Sequence, residues 1–306
     1  MPPLSGKDEA VMNIKTALSP IPRRALVLIA AAIMILTGAL PARAEDDTAT
    51  GAATIVYHAD LVASLNPEGL ILTLGGFRRW SGPLDQEYGI PSSSNKLGFT
   101  LSVSPAYAKA SAYDEWQPAI FAQVRLQGDL YRFFGEYGAL LSFPSADSKY
   151  GKHEVDALSG KEETGWGRRV LLQPVLTAKA GPVIIRNTTD LAYYRFSGRG
   201  PYFLEWEYDT LLKDGDFLLN NRTAFLMATG KGSRSDTLLA GPFYEITHGS
   251  HADITRQRYG VQVYWTRPEP IWSFNQPRAY AQIGMNLRDR NRDNEAFFAA
   301  GVGFDF

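Results

Sequence analysis

The chain has 306 residues, no cysteine and a formal net charge of −1. That excludes a disulfide framework, thiolate chemistry and the basic surface of a nucleic-acid binder or polybasic membrane partner. Hydrophobic residues make up 45% of the chain and mean hydropathy is −0.18, too polar for a bundle of membrane-spanning helices, which needs several apolar runs of about 20 residues.

The one apolar run stands at the N-terminus. Lys15, Arg23 and Arg24 precede the apolar stretch 25–40, and Pro41 and then Ala42-Arg43-Ala44 follow it. Small residues three and one positions ahead of a scissile bond are what signal peptidase accepts. Residues 1–44 therefore read as an export signal cleaved before Glu45, with Met12 as a second candidate start. Residues 45–68 read as a lead-in, although 54–64 would also serve as a strand or a plug.

From residue 69 to the end, apolar and polar residues alternate in runs separated by turn residues. Period two gives each run one apolar face and one polar or small face. The expected strands are 69–79, 95–107, 117–127, 130–143, 169–180, 183–196, 202–212, 216–228, 236–247, 255–266, 277–288 and 295–306. Gln127-Gly128-Asp129 and Lys213-Asp214-Gly215-Asp216 are expected as tight hairpins. In 278–288, Ala279, Ala281, Ile283, Met285 and Leu287 share one face, and Tyr280, Gln282, Gly284, Asn286 and Arg288 share the other. In 202–210, Tyr202, Leu204, Trp206 and Tyr208 oppose Glu205, Glu207 and Asp209. The fold class is therefore all-β: a single antiparallel transmembrane barrel of about twelve strands (10–14) over 69–306, lipid outside and polar side chains inside. Aromatics are 12% of the chain. Trp80, Tyr131, Tyr193, Tyr202, Trp206 and Trp265 are expected as girdle residues.

The chain ends Ala299-Ala300-Gly301-Val302-Gly303-Phe304-Asp305-Phe306. Gly301, Phe304 and Phe306 resemble the C-terminal assembly signal of bacterial outer-membrane β-barrel proteins. Ala299 departs from it where that signal has a polar residue. The resemblance implies an outer-membrane location and recognition by the barrel-assembly machinery. It also implies contact with outer-membrane lipids and lipopolysaccharide. With the C-terminus in the periplasm, counting strands backwards places 289–294, 247–254 and 80–94 outside. It also places the longest link, 144–168, in the periplasm, where turns are usually short.

On this register the lumen face carries Arg125, Arg132, Glu136, Arg186, Asp190, Glu205, Glu207, Asp209, Glu245, Arg258 and Arg288. Such charges either line a constriction that selects solutes by sign or pair with one another in a closed lumen. The leading expectation is a passive, monomeric channel for small hydrophilic solutes. The alternatives are a lipid hydrolase with residues at the rim and a closed barrel with a structural or surface-binding role. His248-Gly249-Ser250-His251-Ala252-Asp253 is the only stretch that suggests Ser-His-Asp chemistry, and adjacent loop residues rarely hold that geometry. Asp289-Arg290-Asn291-Arg292-Asp293-Asn294 lacks the Gly and Glu of a calcium loop and reads as a polar turn whose arginines could meet lipopolysaccharide phosphates. No pattern calls for a cofactor or a metal.

Overall fold

The computed structural model describes residues 53–65, 67–83, 92–229, 236–271 and 274–306. The export signal and its cleavage site lie outside them.

The chain forms β1 (Ala53–Leu65), β2 (Gly69–Ser81), β3 (Ser94–Val103), β4 (Tyr107–Ala119), β5 (Ala122–Phe134) and the short β6 (Ser142–Phe143). A six-residue helix, α1 (Lys152–Ala157), follows. Then come β7 (Thr164–Ala180), β8 (Val183–Phe196), β9 (Tyr202–Glu205), β10 (Thr210–Lys213), β11 (Phe217–Thr229), β12 (Thr237–Gly249), β13 (Ile254–Thr266), β14 (Asn275–Arg288) and β15 (Ala296–Asp305). Twelve of these close into an antiparallel barrel, in the order β1, β2, β3, β4, β5, β7, β8, β11, β12, β13, β14, β15 and back to β1. The remaining three, β6, β9 and β10, form a separate small sheet.

The seam is made by β1 and β15, with Ala59 opposite Phe304 and Leu65 opposite Phe298. The Tyr57 and Phe306 backbones exchange hydrogen bonds of 3.1 and 2.9 Å, and their rings stack at 5.9 Å. The wall thus starts at Ala53, inside the stretch expected as a lead-in. The strand count agrees with expectation, but its membership differs. Residues 202–212 belong to the small sheet, and β1 takes their place in the wall. Expected strands 117–127 and 130–143 straddle β4 and β5. Gln127-Gly128-Asp129, expected as a turn, is mid-strand in β5. Gly128 meets no atom within 4 Å at its Cβ position, and Asp129 turns inward onto Arg169 at 2.5 Å.

Alternation sorts the two faces. Leu97, Phe99 and Leu101 on β3, Leu126 and Leu130 on β5, Val170, Leu172 and Leu176 on β7, and Tyr259 and Val261 on β13 all stand exposed on the outside. The belt is interrupted by Asp114 of β4, exposed between Leu97 and Leu126, and by one cluster of neutral polar side chains. Asn187 and Thr189 on β8 and Asn221 and Thr223 on β11 bond across the strand pair at 2.7–3.1 Å. Trp80, Tyr193 and Trp265 keep outward positions. Tyr131, Tyr202 and Trp206, also expected in the girdle, pack instead against buried clusters inside the barrel.

Closure also settles which links share an end. The turns after β2, β4, β7, β11 and β13 lie at the end that carries both wall termini. The links after β1, β3, β5, β8, β12 and β14 lie at the other, far end. Both long links, 135–163 and 197–216, are therefore at the far end. Relative to the C-terminus this reverses the expected ends of 144–168 and 80–94, because counting 202–212 as a wall strand had shifted the parity of every link before it.

Gly241, Gly260 and Gly284 face inward on three neighbouring strands, where the adjacent backbone comes close. A Cβ at each would run into a carbonyl of an adjacent strand: Phe225, Ile283 and Tyr259 respectively. Gly260→Ala should cost about 1–3 kcal/mol through forced backbone shifts and lower the temperature at which the folded band disappears on unheated gels. Gly128→Ala, which meets open space, should leave that temperature unchanged.

Candidate functional site

The far half of the lumen is filled by the long links. Gly135, Tyr137, Gly138 and Leu140 all have positive φ, between 55° and 72°, which coils 135–140 tightly and turns it back over the barrel mouth. Tyr137 and Leu140 are strained there, and Leu140 is held by complete burial. The segment 202–213 is a hairpin, β9 and β10 joined by a turn at 206–209 in which Asp209 has φ +48°. Phe203, Leu204, Leu211 and Leu212 are buried. They pack with Leu140, Leu141 and inward residues of β4, β5, β7, β8, β11 and β13. Six such side chains stabilise the seated plug by about 1.5–3 kcal/mol each.

The hairpin tip is tied to several parts of the wall. Glu207 takes Lys109 Nζ at 2.5 Å and Arg169 Nη1 at 2.6 Å. It also accepts from the Tyr107 and Tyr131 hydroxyls at 3.4 Å. Glu205 accepts from the Tyr208 backbone N–H at 2.7 Å and the Tyr194 hydroxyl at 3.3 Å. The Tyr208 hydroxyl donates to Asp190 at 2.8 Å. Asp209 receives Arg292 at 2.7 Å and Arg256 at 3.2 Å.

Beneath the tip lies a cavity of about 620 Å³, whose lining includes Glu207 and Tyr208 above and Thr266, Arg278 and Gly303 towards the terminal end. On its wall Glu245 holds Arg222 and Arg258 at 2.5 Å each, with Arg256 at 3.7 Å. Arg278 of β14 bridges Asp60 of β1 at 2.8 Å and Asp305 of β15 at 2.6 Å, fastening the seam from inside. Tyr264 and Tyr280 lie with ring centroids 6.0 Å apart. Arg186 also lines the cavity, and among the described residues its side chain has no ion-pair partner.

The residues expected on the lumen face divide as follows. Arg125 points inward, bonded to Glu115 at 2.9 Å through Nε. Asp190, Arg186, Glu245 and Arg258 also point inward, and all four line the cavity. Glu205, Glu207 and Asp209 lie inside the barrel, but on the plug hairpin and not on the wall. Three expectations are corrected. Arg132 is on the outer face, over the Trp166 ring at 5.1 Å, because β5 runs through Gly128 without the expected turn. Glu136 is exposed in the link after β5. Arg288 lies past a register shift, opposite Gln257, exposed at the far rim.

Sequence reasoning missed Glu115, Asp129, Arg169, Arg222, Arg256, Arg278 and Arg292. Arg222 and Arg256 share the inward parity of Asn220 and Arg258, a signal the alternation already carried. Arg169 follows Arg168 directly, so one of the two must face in. Only the correct strand phase says which.

The rim stretch 248–253 does not assemble a catalytic relay. His248 Nδ1 meets Thr255 Oγ1 at 3.0 Å. Ser250 Oγ donates to Asp216 Oδ1 at 2.8 Å, and His251 Nδ1 lies 2.9 Å from that same oxygen and 3.2 Å from Ser250 Oγ. A relay needs the nucleophile and the carboxylate on opposite imidazole nitrogens. Here both meet Nδ1, and the trio latches the 213–216 turn. In 289–294, Asp289 Oδ1 accepts the Asn291 and Arg292 backbone N–H groups at 2.8 and 3.0 Å. The stretch is a polar turn, and its Arg292 is spent on Asp209.

No family model matches the chain, and no curated protein matches it. Solved barrels resemble it faintly. An outer membrane channel from Pseudomonas putida F1 is 11% identical, with 88% of this chain and 100% of that chain covered and a TM-score of 0.38. The β domain of the Bordetella autotransporter BrkA is 10% identical, with 84% and 99% covered and a TM-score of 0.38. The KdgM porin is 8% identical, with 83% and 99% covered and a TM-score of 0.36. At this level none of them lends its role to this chain.

The Glu245 side chain is 2% exposed, so removing its charge leaves three arginines crowded in a poorly solvated wall. Glu245→Gln should destabilise the barrel by about 3–5 kcal/mol, measured by urea unfolding in detergent micelles. Glu68→Gln, which breaks an exposed pair with Lys152, should change it by less than about 1 kcal/mol.

Proposed function

We propose that the protein is an outer-membrane β-barrel whose lumen is a route for small hydrophilic solutes, entered from the periplasmic end and closed at the outer end by its own plug. The observation that carries the reading is the cavity that ends beneath the 206–209 turn, inside a wall that exposes a belt of large apolar side chains on its outer face. A soluble protein does not tolerate that much exposed apolar surface, and a closed sheet is the one β-architecture that leaves no unpaired backbone in lipid. The two longest links, 135–163 and 197–216, then face outward, as is usual for the long loops of such barrels.

Passage on this reading needs movement of the hairpin tip, not ejection of the plug. Six buried apolar side chains hold the plug, whereas the tip is held by polar contacts that can exchange with water. In planar bilayers the wild type should give rare or small conductance steps. Glu207→Ala, which frees the tip from Lys109 and Arg169, should raise the open probability. Sealed bilayers for both would sink the channel and leave a closed barrel with an internal cavity.

The tip should also respond to pH. Burial first, and the neighbouring Glu207 charge next, push the Glu205 carboxyl up to about 7. A carboxyl raised by seating favours the seated tip fully below its ordinary value of 4.5, and that contribution is lost as pH rises through about 7. Conductance should therefore increase as pH rises from about 4.5 to about 7 and level off above that, and Glu205→Gln should flatten the dependence.

A further inference from the structure

Arg132, Arg168 and Arg195 lie on the outer face of three adjacent strands, β5, β7 and β8, close to their far ends. Arg168 and Arg195 are direct cross-strand partners. Arg132 sits opposite Trp166 and Leu130 opposite Arg168, which makes Arg132 and Arg168 diagonal neighbours on one face. All three side chains are exposed. Arg132 lies over the Trp166 ring. Arg195 meets Asp214 at 3.0 Å. Among the described residues the Arg168 side chain has no hydrogen-bond, ion-pair or ring partner.

Like charges set directly opposite on a sheet repel, and one carboxylate does not neutralise three guanidinium groups. Immediately below them the same face is apolar, with Leu130, Val170, Leu172 and Leu191 exposed. The other outward positions near this rim are apolar or neutral, Arg288 aside. A local cationic patch just above an apolar belt is complementary to an anionic headgroup whose acyl chains lie along that belt. Guanidinium groups bind phosphate oxygens in bidentate fashion.

We propose that Arg132, Arg168 and Arg195 form a binding site for the phosphate groups of an outer-leaflet glycolipid of the lipid A type. The site rests on the outer-membrane reading given above and is separate from the lumen. Arg168 supplies the uncommitted fork, Arg132 is held in place by Trp166, and Arg195 can exchange Asp214 for the ligand.

The test is native mass spectrometry of the full-length protein in detergent, titrated with bisphosphorylated lipid A and with its dephosphorylated form. The expected result is binding of the phosphorylated form, weakened at least about tenfold in the triple variant R132Q/R168Q/R195Q. Arg168→Gln alone removes no contact within the protein, so it should weaken binding without altering heat modifiability. Arg78→Gln, at the opposite end of the wall, should change nothing. Equal binding by wild type and triple variant, or displacement by inorganic phosphate at the same concentration, overturns the site. Fractionation of cells expressing the wild type separates this from failure of the premise. A protein found in the outer membrane but indifferent to the three arginines refutes the site alone, whereas one found elsewhere refutes the premise and the site together.

Discussion

Closure of β1 on β15 is the constraint from which the rest of the architecture follows. Once the sheet has no free edge, an antiparallel wall must contain an even number of strands, and both wall termini must emerge at one end. Every second residue must then face in. The twelve-strand circuit puts 135–163 and 197–216 at the same end, on either side of β7 and β8. Two long segments leaving neighbouring points of one rim can meet across it, and β6 pairs with β9 to join them.

The lumen then faces a problem of charge. Its wall carries arginines and carboxylates on neighbouring strands, and an unpaired ion in a poorly solvated interior is costly. The wall solves part of this by itself. Glu115 takes Lys96 and Arg125, Glu245 takes Arg222 and Arg258, and Arg278 takes Asp60 and Asp305. The plug supplies further partners, with Glu207 completing Arg169 and Lys109 and Asp209 completing Arg256 and Arg292. The same contacts that neutralise the wall also position the hairpin tip above the cavity. That is why one residue, Glu207, bears on both stability and passage.

Fold class and the outward face of β14 were legible in the alternation, because a lipid-facing or core-facing row repeats every second residue in either setting. The plug was not. Residues 202–210 alternate as a wall strand would, yet Phe203, Leu204 and Glu205 are all buried. A hairpin packed inside a barrel is enclosed on both faces, and alternation cannot report that. Gly128 misled in the opposite sense: it reads as a turn signal, but only the Arg169 opposite Asp129 shows that β5 continues. That single phase error put Arg132 inside. Charges alone could not correct it, since Arg168 and Arg169 are adjacent and chemically identical. The wall charges around Glu245 needed no tertiary information beyond the parity of β11 to β13.

Counted round the circuit, the two plug segments flank β7 and β8, the strands diametrically opposite the pairing of β1 with β15. An incomplete, curling sheet already presents its concave face to these segments while its first and last strands are still apart. The hairpin of β9 and β10 can therefore dock on β4 to β11 before the ring shuts, with no need to thread through a finished cylinder. In this order of events the final act is the zipping of the two terminal strands, with Arg278 dropping between Asp60 and Asp305 as the clasp.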